Sequence, residues 1–136
     1  MPVTYRIDKT SGTIYTKCIG NTTVVEVLEH FHELIRDVEC PDRLNVLLDL
    51  SETTSIPETQ QLRTVSDRIG IIRQRISFGD CVIVAGREVL YGMSRVFEAF
   101  AGKWFREIHV CRTTEEAEAW LAARSAAQRE QSSGAG

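Results

Sequence analysis

Residues 3 to 20 alternate between apolar and polar positions in two short runs, VTYRID and TIYTKCIG, separated by KTSG. Alternation of period two, rich in β-branched and aromatic residues and broken by a polar turn, predicts a β-hairpin. The period then changes. Val24, Val27, Leu28, Phe31, Leu34, Ile35 and Val38 recur at helical spacing, and Thr23 with Glu26 has the form of a capping box ahead of them. Cys40-Pro41-Asp42 ends that helix. LNVLLDL follows, an apolar run too short for a helix and therefore a strand covered on both faces.

The polar stretch SETTSIPETQQL comes next. Ser55 and Glu58 stand at capping-box spacing with Pro57 in the first turn, ahead of an apolar stripe at Leu62, Val65, Ile69, Ile72 and Ile76. Gly70 weakens this second helix from within. CVIVAG is a further buried strand, and Val89, Leu90, Met93, Val96, Phe97 and Phe100 mark a third helix ended by Gly102. REIHVCR is a last strand, and Thr113 with Glu116 caps a fourth helix, TEEAEAWLAAR. A hairpin followed by alternating helices and strands predicts an α/β fold: a mixed, mainly parallel five-stranded sheet with about four helices, its first strand antiparallel at an edge. One domain spans residues 1–124, and the polar, small-residue stretch 125–136 is expected to be a disordered tail.

Composition narrows the function classes. A chain of 136 residues, 43% hydrophobic, supports one domain with one core. A formal charge of −3 gives neither nucleic acid nor an anionic membrane a footing as main partner. The start of the chain has no basic segment followed by an apolar one, and no apolar run approaches the roughly 20 residues a membrane span needs. A cytoplasmic location is the resulting expectation. Cys18, Cys40, Cys81 and Cys111 form no CxxC pair, and three of them fall in apolar strand-like runs, as small buried hydrophobes do.

LLDLSETTSIPETQQL is similar to the strand-loop-helix signature of STAS domains, and the chain resembles the SpoIIAA-like family of small bacterial STAS proteins. VTYRIDKTSGTIYTKCIG, MSRVFEAFAG and FREIHVCRTTEEAEAWL fit the same pattern, so the resemblance covers about residues 3 to 122. It implies a STAS fold and a cytoplasmic regulatory or docking role without catalysis. In phosphorylated members, the loop after this strand carries an Ile-Asp-Ser-Ser-Gly type motif whose first serine accepts phosphate. Here Ile56 matches, but Pro57 replaces the aspartate, Glu58 the phosphoacceptor and Gln60 the glycine. Only Thr59 keeps a hydroxyl in register, as a weak phosphosite. STAS proteins also bear a distant likeness to the CRAL-TRIO lipid-carrier fold.

Candidate chemistry is sparse. HFHELIR falls short of a zinc helix, because Arg36 stands where the second histidine is needed, and His30 and His32 point about 200° apart on a helix. No metal and no cofactor is expected. Crevices beyond the carboxyl ends of parallel strands are the usual ligand sites. That rule gathers Asp49, Ser51, Thr53, Thr54 and Ser55 with Arg87, Glu88 and Tyr91, and the docking surface extends to Glu58, Thr59 and Arg63. No nucleophile can be paired with a base. Arg63, Arg68, Arg73 and Arg75 make the second helix basic, which a solvated face explains and an acidic partner would use. Met93, Phe97, Phe100 and Trp104 either pack on the sheet or line a pocket for an acyl chain. The expected function is a non-enzymatic module that docks a protein partner through the loop after the third strand and the following helix. The alternative is a binder or carrier of a small hydrophobic, lipid-like ligand, and a homodimer is compatible with either.

Overall fold

The structure is a computed structural model describing residues 3–135. Strands β1 (Val3–Asp8) and β2 (Thr13–Gly20) form the antiparallel hairpin, and helix α1 (Val24–Arg36) leads to β3 (Arg43–Thr53). Helix α2 (Thr59–Ile72) connects to β4 (Ser77–Val84), α3 (Glu88–Ala101) to β5 (Glu107–Cys111), and α4 (Thr114–Ala135) closes the chain. The sheet runs β1-β2-β3-β4-β5, with β2 to β5 parallel. This is the expected α/β architecture.

That order decides where the helices lie. Each parallel crossover moves one strand further in the same direction, and right-handed crossovers in one direction put their helices on one face. The packing bears this out: Phe31 and Leu34 of α1, Ile69 and Ile72 of α2, and Phe97 and Ala101 of α3 share two clusters with Ile14, Val46, Cys81, Ile83, Ile108 and Val110. Only α4 covers the other face, where Ala117, Trp120 and Leu121 meet Leu47, Val82, Val84 and Cys111. A buried ion pair fastens it there. Asp80, 1% exposed, receives Arg124 at 2.8 and 3.2 Å and Gln128 at 3.4 Å. From residue 125, where composition marks a disordered tail, α4 continues through Ala135; Gly136 lies outside the described residues.

Several local expectations are met and several corrected. Thr23 and Glu26 form the capping box of α1: Glu26 N donates to Thr23 Oγ1 at 3.2 Å, and Thr23 N donates to Glu26 Oε1 at 3.0 Å. Val38 is not part of that helix, which ends at Arg36, and its side chain is 95% exposed. Ile76 lies beyond the end of α2 yet is buried in the lower core. Gly70 does not break α2, because the helix needs a glycine there: a Cβ would sit 2.6 Å from Cζ2 of Trp104, whose indole lies against the helix and donates to Ser66 Oγ at 3.2 Å. Gly102 ends α3 in a right-handed conformation, φ −55°, and the chain runs on into a single 3-10 turn, Gly102–Trp104.

Candidate functional site

On the α4 side of β3, Leu47 is 2% exposed, as a central strand under a helix should be. On the opposite side of the same strand Val46, Leu48 and Leu50 remain only partly buried, although three helices lie over that face. Val24 and Val27 of α1, Leu62 and Val65 of α2 and Met93 of α3 share this condition. The helices stand off the sheet and leave a cavity of about 440 Å³ between α1, α2, α3 and strands β2 to β4.

The cavity opens at the carboxyl ends of β2 and β3. Its mouth is formed by Asn21, Thr22 and Thr23 before α1 and by Ser55, Ile56, Pro57 and Glu58 before α2. These two loops are fastened to each other. Ser55 Oγ accepts from Thr22 N at 3.0 Å and donates to Thr22 O at 3.1 Å, Thr53 Oγ1 donates to Gly20 O at 3.0 Å, and Thr54 N donates to Gly20 O at 2.8 Å. Ser55 is thereby committed to the neighbouring loop and does not cap α2. Ile56 precedes Pro57, whose ring disfavours a helical conformation there, and residues 54–58 stay outside the helix. The helix starts a turn later than the spacing suggests, with Glu58 as N-cap and its N–H donating to Gln61 Oε1 at 2.8 Å.

His30 sits halfway down the wall. Its position on α1 aims it at β2, where Nε2 shares a hydrogen bond of 3.3 Å with Thr16 Oγ1, and its ring lies 5.0 Å from Tyr5 and 5.7 Å from Phe31. The side chain is 7% exposed, and burial pushes its pKa down to about 4, so the imidazole is neutral at neutral pH. Nδ1 has no partner among the described residues. Thr22 Oγ1 is also buried, with only the Cys18 thiol beside it, where its hydroxyl offsets part of the effect of burial on that thiol, and both side chains line this cavity. Two thiols also face it, and burial raises Cys18 to about 11 and Cys81 to about 12, so both are protonated rather than nucleophilic.

The residues singled out by sequence separate into groups. Thr53, Ser55 and Glu58 line the cavity near its mouth. Arg87 lies close by, its Nη1 donating to Thr53 O at 3.4 Å, and Thr54 is exposed on the same loop. Thr59 is the exposed first residue of α2. Arg63 is held over the Phe100 ring at 4.7 Å, and Tyr91 carries Arg112 over its ring at 3.9 Å, with Arg112 also paired to Glu88 at 3.0 Å. Asp49 does not join the group. It lies well inside β3, which continues to Thr53, and it faces the α4 side with Tyr15 and Lys17, accepting from Ser51 N at 2.8 Å. Side chains alternate along a strand, and Asp49 shares the parity of Leu47, so it turns toward α4 while Val46, Leu48 and Leu50 face the cavity.

Of the four residues weighed as pocket liners, Met93 and Phe97 line the cavity, whereas Phe100 and Trp104 pack elsewhere. Arg73 also lies over the Trp104 ring, at 4.9 Å, so part of the basic face of α2 serves to cover aromatics. Sequence reasoning treated His30 only as a metal candidate. The available signal was its place on the apolar stripe between Val27 and Leu34, which puts a histidine on a buried face. His109 on β5 stacks on Trp120 of α4, ring centroids 5.0 Å apart. Among the described residues no helix is long and apolar enough to cross a membrane. In comparisons with known proteins, no family model and no curated protein matches the chain.

Proposed function

We propose that this domain binds a small, mainly apolar molecule in the cavity between the sheet and helices α1, α2 and α3. One observation carries the reading: a space of about 440 Å³ with mostly apolar walls lies over the centre of the sheet, where a packed core belongs. Its volume falls within the roughly 300–1,000 Å³ typical of small-molecule sites. At about 24 cal/mol per Å³, a dry void of this size would cost roughly 10 kcal/mol, about the whole stability of a domain; the open mouth makes that an upper bound. Water is a poor filling, since it needs several polar partners at each position and these walls supply few. An apolar ligand supplies the missing contacts.

The reading is non-catalytic. Cys18 and Cys81 are protonated, and His30 is neutral with Thr16 as its hydrogen-bonding neighbour. Docking of a protein partner is the second reading, favoured by Ile56, 51% exposed on the mouth loop beside Glu58 and Thr59. The two are compatible, because a partner held by this loop would sit over the cavity mouth. The resemblance of β3, its loop and α2 to STAS domains suits either use.

Mass spectrometry of protein purified gently from its own host tests the proposal. An extra mass in the native spectrum that disappears under denaturing conditions is expected. A bare chain that also fails to take up a fluorescent apolar probe refutes the cavity reading and leaves docking.

A further inference from the structure

We infer that the molecule held in this cavity is uncharged, an apolar chain or ring system bearing a hydroxyl or carbonyl oxygen, and neither a free fatty acid nor an organic amine. The inference rests on the cavity reading and adds the chemistry of the occupant. Among the described residues no lysine or arginine lines the space, and the one carboxylate that does, Glu58, is exposed at the mouth. Neither nearby cation lines the cavity: Arg87 donates to the Thr53 carbonyl and Arg63 lies over the ring of Phe100. The one titratable base on the wall, His30, is a neutral imidazole.

A carboxylate drawn inside would therefore lose water without gaining a counter-ion, and one left at the mouth would face Glu58. An ammonium inside would be equally unpaired. At the mouth it would gain only a solvent-exposed pair with Glu58, which is worth little. A neutral oxygen meets a different environment. The polar groups of the wall are neutral: His30 Nδ1 is buried without a partner among the described residues, Thr22 Oγ1 is buried with only the weakly bonding Cys18 thiol beside it, and Asn21 and Gln61 stand at the mouth. A hydroxyl can donate or accept, so it suits either tautomer of His30 as well as the threonine.

The test uses the full chain at pH 7.5 with the neutral fluorophore N-phenyl-1-naphthylamine as probe, displaced by decanol, decanoate and decylamine below their micellar concentrations. Decanol is expected to displace the probe at a concentration at least tenfold lower than either charged homologue. In the mouth variant Ile56→Lys, which places a cation at the rim, decanoate should gain at least threefold relative to decanol. Decanoate or decylamine equal to decanol, or no gain by decanoate in Ile56→Lys, overturns the inference while leaving the cavity reading intact. Failure of the probe to bind at all removes the cavity reading and this inference together.

Discussion

His30 makes the stability of this fold depend on pH in a window that can be calculated. In the unfolded chain its imidazole titrates near 6.5, whereas burial holds it to about 4 in the folded protein. Below pH 6.5 the unfolded chain takes up a proton that the folded chain refuses, so stability falls as pH falls. Above 6.5 the residue contributes no pH dependence. The slope approaches 1.4 kcal/mol per pH unit, giving about 2 kcal/mol lost by pH 5 and about 3 kcal/mol once the folded form also protonates near pH 4. The groups facing the ring do not interfere in this window. Thr16 and Phe31 do not titrate, and Tyr5, which donates to Asp37 Oδ2 at 2.7 Å, is raised to about 12 by burial and that carboxylate. Urea unfolding of the parent and of His30→Gln at pH 7.5, 6, 5 and 4.5 isolates the effect, because carboxylate titrations common to both cancel in the difference. Between pH 7.5 and 5 the parent should lose about 2 kcal/mol more than the variant. Parallel curves would refute the assignment of a buried neutral histidine.

Two further substitutions probe the packing around the site. Gly70→Ala, which in an ordinary helix gains about 1 kcal/mol, should here cost about 2 kcal/mol, because the new methyl displaces Trp104 and its bond to Ser66; the melting temperature should fall by several degrees, and Trp104→Leu in the same chain should remove the penalty. An unchanged or higher melting temperature for the single variant contradicts the contact. Arg124→Ala leaves Asp80 buried with only the longer Arg106 contact at 3.6 Å and Gln128, and should cost about 3 kcal/mol in urea unfolding, whereas a loss below 1 kcal/mol would show that the pair does not secure α4.

Much of the fold is legible in local pattern. The hairpin, the parallel strands and the four helices each follow from a period of two, a short apolar run or a period of 3.6, and the capping box at Thr23 and Glu26 forms as spaced. The errors arise where a residue serves a distant part of the chain. Ser55 has cap spacing but is taken by Thr22 across the sheet end, Gly70 resembles a helix breaker but makes room for Trp104, and residues 125–135 look like a tail while Gln128 reaches back to Asp80. The candidate site was half legible. Thr53, Ser55 and Glu58 do stand at the cavity mouth, while Asp49 falls on the opposite face and His30 was not considered for the wall.

What the sequence determined by itself was the type and order of the elements and which face of each is apolar, because those depend on neighbours a few positions apart. Right-handed crossovers then put α1, α2 and α3 on one face, but how closely they approach the sheet is not a local property. It depends on how Phe31, Leu34, Ile69, Phe97 and Phe105 from four segments fill the space among themselves. All five also line the cavity, together with Ile14, whereas the neighbouring Leu44 and Ile72 lie outside it and are almost fully buried. The same apolar stripe can therefore be core at one end and cavity wall at the other, a distinction that only three-dimensional packing makes.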